Sequence, residues 1–344
     1  MADINIKLLK DTIVKLMAKG KGILAVDESN GTADKRLAEI KVKGSEEVRR
    51  QYRELFLVTP EIENYISGVI LYDETFWQKV DSGKTFPELL AQKNIVPGIK
   101  VDIGAKDFPG FPGEKLTKGL DGLNERAQKY FDNGARFAKW RAVITIDKVA
   151  NLPTKDAIEA NADAMARYAR ICQEVGLVPI VEPEVMLVGN HSVDDAEKVT
   201  AQTITKVFEK MRQYQVFNSG LILKTSMVIS GDANPKESSA EEVADRTVRI
   251  LRENVPEDVG GVVFLSGGQT PIEATTHFDA IVEKGDFSFE IAFSYARALQ
   301  SSALRVWKGK EENKRKARAE FLKRLKLNQL ADAGDYDISM EYAG

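Results

Sequence analysis

Charged side chains interrupt four apolar stretches of this 344-residue chain at positions suited to chemistry. Three stretches carry two charges spaced two residues apart and the fourth carries one lysine: Lys100 with Asp102, Lys139 with Arg141, Glu182 with Glu184, and Lys224. A β-strand turns alternate side chains to one face, so both members of a pair point the same way. Because unpaired charges are costly in apolar surroundings, we expect these groups to act in catalysis or to bind a charged ligand.

Lys224 is the best candidate nucleophile. Its neighbours Leu223 and Met227 are apolar, and we expect it to share a pocket with Lys139 and Arg141. Low polarity and nearby positive charge both favour the free amine over the ammonium ion. An amine nucleophile reacts with a carbonyl compound to form an imine, which accepts electrons when a carbon–carbon bond is broken or formed.

Imine chemistry also requires groups that transfer protons. The available carboxylates are Glu182, Glu184 and Asp27, the last at the end of an earlier apolar run. Structural ion pairing of the two glutamates with Lys139 and Arg141 is an alternative role. The two roles are compatible.

Two candidate anion sites accompany the lysine. The segment 264–269, which contains Ser266, Gly267 and Gly268, places two glycines after an apolar run, where backbone N–H groups can approach an oxyanion. Arg297 can complete this site from the next run, and Lys100 and Arg141 suit a second anion. These are the residues of two anion sites around an imine-forming lysine, which indicates a ketose with two phosphate groups.

Short β-like runs alternate with helical patterns along the chain, which predicts parallel strands. The candidate strands are residues 22–27, 68–72, 96–102, 137–144, 177–185, 221–228, 261–265 and 289–295. Their number matches a closed α/β barrel, in which functional residues lie at the C-terminal ends of the strands. An open doubly wound sheet is the alternative, but no Gly-x-Gly-x-x-Gly motif follows the first strand.

Helical periodicity marks the segments between these strands and both ends of the chain. Residues 6–17 predict an amphipathic helix, and Ser238 with Glu241 forms a capping box for a helix over 238–253. The basic segment 308–326 predicts a helix docked on the barrel through apolar residues every four positions: Ala317, Phe321 and Leu325. We predict one (β/α)8 TIM-barrel domain over residues 1–344, with extra terminal helices and a flexible tail over 331–344.

Composition argues against several other classes of protein. A net charge of −3 gives no electrostatic case for nucleic acid binding, and no apolar run approaches the ~20 residues that span a bilayer. The single cysteine, Cys172, excludes an internal disulfide and suits a reducing cytosol. His191 and His277 lack the spacing of a zinc site, so we expect both at the surface and predict no metal and no cofactor.

Over essentially its whole length the chain resembles the class I, Schiff-base fructose-bisphosphate aldolases. The matching stretches occur in the family's order and are jointly specific: ILAVDES at 23–29, GIKVD at 98–102, FAKWR at 137–141, PIVEPE at 179–184, LK at 223–224, FLSGGQ at 264–269 and FSY at 293–295. The resemblance implies that Lys224 attacks C2 of fructose 1,6-bisphosphate and that the iminium ion accepts the electrons of the C3–C4 bond.

The resemblance also implies roles for the residues around the lysine. Glu182 would shuttle protons, Asp27 would deprotonate or orient the C4 hydroxyl, and Lys139 would assist electrostatically with support from Glu184. The C1-phosphate site would comprise Ser266, Gly267 with the adjoining Gly268, and Arg297. The residues matched to the other end of the sugar are Ser29, Thr32, Arg36, Lys100 and Arg141.

The implied reaction yields dihydroxyacetone phosphate and glyceraldehyde 3-phosphate, in glycolysis and gluconeogenesis. The implied protein is a cytoplasmic homotetramer whose ligand is a sugar phosphate, with no nucleic acid or membrane partner. A lysine-dependent aldolase for a monophosphate is an alternative. A catalytically silent scaffold barrel is another, and it predicts loss of Lys224, Glu182 or Asp27, all of which are present.

Three positions depart from the family's pattern. Thr225-Ser226 follows the lysine where animal and plant members have Pro-Asn, which we expect to change only loop geometry. Ala296 replaces a common glycine near the phosphate, where a methyl group would crowd the backbone. The chain ends Tyr342-Ala343-Gly344 instead of in a terminal tyrosine, which puts that residue's role in proton transfer in doubt.

Overall fold

A computed structural model describes residues 4–342, and its centre is an eight-stranded parallel sheet. In spatial order its strands are β1 (Gly22–Val26), β2 (Ile66–Leu71), β3 (Val96–Lys100), β6 (Phe137–Ile144), β7 (Val178–Val185), β8 (Ile222–Thr225), β9 (Gly261–Phe264) and β10 (Ile291–Phe293). The amide of Ala25 donates to the carbonyl of Tyr295, just beyond β10, at 3.0 Å and joins the first strand to the last. The predicted α/β barrel is confirmed.

A β-hairpin that the sequence analysis missed lies between β3 and β6. Strands β4 (Ala105–Phe108) and β5 (Phe111–Thr117) pair antiparallel outside the barrel. Pro109 and Gly110 form its turn, and Gly110 has a φ of +86°. A Pro-Gly pair between two phenylalanines is a turn signal that would have indicated this hairpin.

Helices surround the barrel and connect most of its strands. They are α1 (Ile6–Leu16), α2 (Asn30–Glu39), α3 (Glu46–Leu57), α4 (Asp73–Trp77), α5 (Phe86–Gln92), α6 (Leu123–Asp132), α7 (Lys155–Val175), α8 (Val193–Gln213), α9 (Ala240–Asn254), α10 (Pro271–Lys284), α11 (Arg297–Trp307) and α12 (Lys314–Ala333). The cap of α9 is Ser239, which accepts from the amide of Glu242 at 3.2 Å. The predicted cap at Ser238 is wrong because that hydroxyl bonds to Ser230 in the preceding loop.

The end of the barrel opposite the strands' C termini is filled by apolar side chains. Leu16 and Met17, at the end of α1, pack against the glycines at the starts of β2 and β9. Inside the barrel the ring of Phe137 occupies the space beside Gly98, where a Cβ atom would lie 2.2 Å from the ring. Polar chemistry is therefore confined to the other end of the barrel.

Helix α12 and the residues after it pack on the outside of the barrel. The predicted apolar stripe is confirmed, since Ala317, Phe321 and Leu325 are buried, although the α-helix begins at Lys314. Beyond its end, Tyr336 is buried and its amide donates to Asp279 at 3.1 Å. A 3₁₀ turn, Ile338–Glu341, follows, and the flexibility of the 331–344 tail stays a prediction.

Among residues 4–342, no helix is both long enough and apolar enough to span a bilayer.

Candidate active site

A cleft of about 920 Å³ opens where the barrel strands end. It is lined by every predicted site residue except Gly268, which lies in an exposed turn with a φ of +100°. The predicted residues that line it are Asp27, Ser29, Thr32, Arg36, Lys100, Lys139, Arg141, Glu182, Glu184, Lys224, Ser266, Gly267 and Arg297. The convergence predicted from strand position is therefore present.

Strand register brings the charged pairs together. Lys100 is the register partner of Lys139 on the neighbouring strand, and Arg141 is the partner of Glu182 on the strand after that. Because alternate residues of a strand share a face, Glu184 points to the same cleft two residues later. One residue of slip in any of these strands would turn its charges away from the cleft.

Glu182 lies between two lysines at the base of the cleft. Its Oε1 is 3.1 Å from Nζ of Lys224, and its Oε2 is 2.9 Å from Nζ of Lys139. The three side chains are only 4–5% exposed. A carboxylate in contact with the nucleophilic amine is placed to take up and return protons while a carbinolamine forms and loses water.

Lys139 is held between Asp27 and Glu182, with its Nζ 2.6 Å from Oδ2 of Asp27. Burial alone would raise the pKa of both carboxyl groups, but Lys139 first and Lys224 second hold both pKa values below their usual range. Burial alone would lower the pKa of Lys139, but Asp27 and Glu182 raise that pKa above its usual value. At neutral pH the base of the cleft therefore contains two carboxylates and a permanent ammonium ion.

Two further ion pairs extend from this centre. Arg141 pairs through Nε with Glu184, and this pairing outweighs burial and raises the pKa of Arg141. Lys100 Nζ lies 2.7 Å from Oδ1 of Asp102, whose Oδ2 accepts the amide of Arg141 at 3.1 Å. Asp102 therefore fixes Lys100 at the edge of the cleft, a role that its spacing in the sequence did not reveal.

The loop after β9 and the start of α11 form one cationic edge of the cleft. Ser266 is buried in the loop that follows the strand, and Gly267 has a φ of +39°. This positive φ favours glycine, and a Cβ atom at the position would lie 2.7 Å from Cδ1 of Leu265. Arg297 begins α11, and Ala296 before it has a φ of −108°, outside the left-handed region that favours glycine.

The start of α2 forms another edge of the cleft. Ser29 is its N-cap but makes no capping hydrogen bond, and its Oγ lies 3.1 Å from Oγ1 of Thr32. Free amide groups in the first turn of a helix favour an anion. Arg36 reaches the same edge and is ion-paired with Glu28, a residue to which the sequence analysis assigned no role.

The Thr225-Ser226 departure has a local structural role. Ser226 donates from its hydroxyl to the carbonyl of Val185 at 2.9 Å, which joins the segment after Lys224 to β7. The hydroxyl of Thr225 reaches the Ser226 carbonyl at 3.2 Å. The polar pair therefore stabilises the loop without entering the cleft.

The expectation that both histidines lie at the surface is wrong. His191 is buried beside Gly189 and Gly231, and His277 is buried with its Nδ1 2.7 Å from Oε1 of Gln269. Burial lowers the pKa of both rings. No group of three or more metal-binding side chains occurs within residues 4–342.

The fold and the site together define an (α/β)-barrel enzyme with a buried lysine beside a glutamate, in a cleft with cationic edges. Comparison with known proteins agrees with that class. The family described as fructose-bisphosphate aldolase class-I matches residues 8–343. A probable class 1 fructose-bisphosphate aldolase of Xanthomonas campestris is 46% identical over 333 residues, which cover 96% of this chain and 99% of that one.

Other relatives lead to the same assignment. Cytosolic fructose-bisphosphate aldolase 4 of Arabidopsis thaliana is 47% identical over 92% of this chain and 80% of its own. The solved structure of the Plasmodium falciparum aldolase, in complex with TRAP and an inhibitor, has a TM-score of 0.94 at 44% identity, covering 96% of this chain and 95% of that one. The chain belongs to the class I fructose-bisphosphate aldolase family and is an aldehyde-lyase, which confirms the predicted resemblance.

Proposed function

We propose that this protein reversibly cleaves fructose 1,6-bisphosphate to dihydroxyacetone phosphate and glyceraldehyde 3-phosphate through an imine on Lys224. The observation that carries the proposal is the buried contact of 3.1 Å between Nζ of Lys224 and Oε1 of Glu182. Membership of the class I family supports the substrate and its place in glycolysis and gluconeogenesis.

The amine of Lys224 attacks C2 to give a carbinolamine, which loses water to form the iminium ion. Glu182 accepts a proton from the amine and returns one to the departing hydroxyl. The C4 hydroxyl gives its proton to the carboxylate of Asp27 as the C3–C4 bond breaks, and the bond's electrons enter the iminium to form an enamine. Glyceraldehyde 3-phosphate leaves, solvent protonates C3 while Asp27 releases its proton to solvent, and water hydrolyses the imine to release dihydroxyacetone phosphate.

Asp27 and Lys139 act near the bond that breaks. The low pKa of Asp27 keeps its carboxylate ionised at neutral pH, so it can orient the C4 hydroxyl and accept its proton as the bond breaks. The ammonium of Lys139, 2.6 Å from Asp27, stabilises negative charge that develops at this oxygen. Glu184 supports the network because it holds the guanidinium of Arg141.

Two groups of residues would hold the phosphates. The C1 phosphate lies against the loop after β9 and the start of α11, through Ser266, Gly267, Gly268 and Arg297. The other phosphate lies between the start of α2 and the strands that face it across the cleft. It contacts Ser29, Thr32 and Arg36 on one side and Lys100 and Arg141 on the other. Their separation around Lys224 favours a bisphosphate over a monophosphate.

We also propose a single-domain, cytoplasmic homotetramer that requires no cofactor and has no nucleic acid or membrane partner. The cytosolic plant relative and the buried lone thiol of Cys172 support the compartment. The family resemblance supports the tetramer, which light scattering of the purified protein tests. A mass of one 38.2 kDa chain would contradict it.

Cleavage of fructose 1,6-bisphosphate in the presence of a chelator tests the function. We expect the wild-type protein to keep its rate and Lys224→Met to lose it. Lys93→Met is a matched control, because Lys93 pairs with Glu63 at 2.8 Å and does not line the cleft. Loss of wild-type activity in chelator, or activity of folded Lys224→Met, would refute the imine mechanism. A higher kcat/KM with fructose 1-phosphate would favour the monophosphate alternative.

A further inference from the structure

Glu28 is a buried carboxylate that holds two arginines at the edge of the cleft. Its Oε1 is ion-paired with Nη1 of Arg36, and its Oε2 lies 2.6 Å from Nη1 of Arg53. The Glu28 side chain is 5% exposed and that of Arg53 is 2% exposed. The pairing is therefore shielded from solvent, unlike a surface salt bridge.

Hydrogen bonds attach this cluster to the barrel. The hydroxyl of Tyr52 lies 3.2 Å from Oε1 of Glu28 and donates to Oε1 of Gln300 at 2.6 Å. Gln300 donates in turn to the carbonyl of Ala25 at 2.6 Å, and Arg53 donates to the Glu28 carbonyl at 3.0 Å. The cluster joins β1, α3 and α11, so Glu28 has little freedom to move.

Arg36 makes these contacts with one nitrogen only. Its Nη1 faces Glu28 and the Tyr52 hydroxyl, while within residues 4–342 its Nε and Nη2 have no hydrogen-bond acceptor. The residue lines the cleft, and a guanidinium edge with two free donors matches the oxygens of a phosphate.

Arg36 would not hold this position without a carboxylate beside it. Burial lowers the pKa of the Arg36 guanidinium most. The like charges of Arg53 and Arg297 nearby lower it further. Removing the Glu28 charge would leave Arg36 beside a buried, uncompensated Arg53, and we expect its side chain to move away.

We propose that Glu28 is a positioning residue that orients Arg36 for the phosphate far from Lys224 and thereby sets the preference for a bisphosphorylated ketose. This inference rests on the proposed function for the identity of the ligand. Glu28 need not touch the substrate, because it acts through the guanidinium.

Binding of substrate analogues tests the proposal separately from catalysis. The probes are the hexitols made by borohydride reduction of fructose 1,6-bisphosphate and of fructose 1-phosphate, which lack the carbonyl and cannot form an imine. By calorimetry, Glu28→Gln should bind the bisphosphate about tenfold more weakly and the monophosphate within about twofold of wild type, since one bidentate contact is lost. Arg36→Met should weaken binding of the bisphosphate by the same factor as Glu28→Gln, and the variant with both substitutions should show no further loss.

Glu54→Gln is the matched control. Glu54 lies beside Arg53 on α3, pairs with Arg50 at 2.8 Å and does not line the cleft, so neither affinity should change. Equal weakening of both hexitols by Glu28→Gln, or unchanged affinities, would overturn the proposal. If Glu28→Gln does not fold, the same two affinities are measured for Tyr52→Phe. We expect its affinity for the bisphosphate alone to fall about threefold, and equal or absent losses would overturn the proposal. Selective binding without aldol cleavage would refute the proposed function only.

Discussion

Replacing Glu182 with glutamine should slow imine formation while leaving the fold intact. The substitution keeps the size of the side chain, so no cavity forms. It removes the carboxylate 3.1 Å from the amine of Lys224, whereas Lys139 keeps its contact of 2.6 Å with Asp27 and stays paired. Loss of a general acid–base group slows a reaction by about 10²–10⁴-fold, or ~2.7–5.4 kcal/mol of activation free energy.

Single-turnover trapping measures this step directly. Enzyme and fructose 1,6-bisphosphate are mixed and quenched with borohydride after increasing times, and the fraction of protein that carries a reduced adduct is read by mass spectrometry. Glu184→Gln is the control, since Glu184 binds Arg141 and not the nucleophile, and it should trap within about tenfold of wild type. If Glu182→Gln trapped as fast as wild type, the proton-shuttle role would be refuted.

Three other outcomes follow from the geometry. Gly98→Ala should lower the free energy of unfolding by about 1–3 kcal/mol, because the added methyl group meets the Phe137 ring. In urea unfolding, adding Phe137→Leu should recover part of that loss, and additive losses would contradict the prediction. Burial raises the pKa of Asp279 from 3.8 to about 6, so its carboxylate destabilises the fold increasingly as pH rises through that window. Asp279→Asn should therefore raise Tm at pH 8 and leave Tm near pH 4 unchanged. Equal gains at both pH values would contradict the raised pKa. Lys100→Met should raise KM for fructose 1,6-bisphosphate about tenfold or more and that for fructose 1-phosphate little, whereas equal increases would remove Lys100 from the second phosphate site.

The barrel and the centre of the site were predictable because both depend on local sequence period. Buried parallel strands are apolar runs, so the charges of Glu182 and Lys224 were conspicuous within them, and strand ends in such barrels meet at one face. The β4–β5 hairpin was not predicted because few residues of its strands are buried and the strands lack an alternating apolar pattern.

Residues that act through distant partners could not be predicted in this way. The role of Glu28 depends on Arg53, which lies on another helix, and no spacing rule connects the two. His277 is buried on α10 with its ring 2.7 Å from Oε1 of Gln269, a pairing that composition does not reveal. Tertiary contact, and not local pattern, determines both positions.

Peptide mapping after borohydride reduction identifies the lysine that forms the imine. Wild-type protein is incubated with dihydroxyacetone phosphate in the presence of a chelator, reduced, digested and sequenced by mass spectrometry. We expect one reduced triose phosphate on Lys224 and loss of activity in proportion to its formation. An adduct on another lysine with Lys224 unmodified, or full activity after complete modification of Lys224, would contradict it.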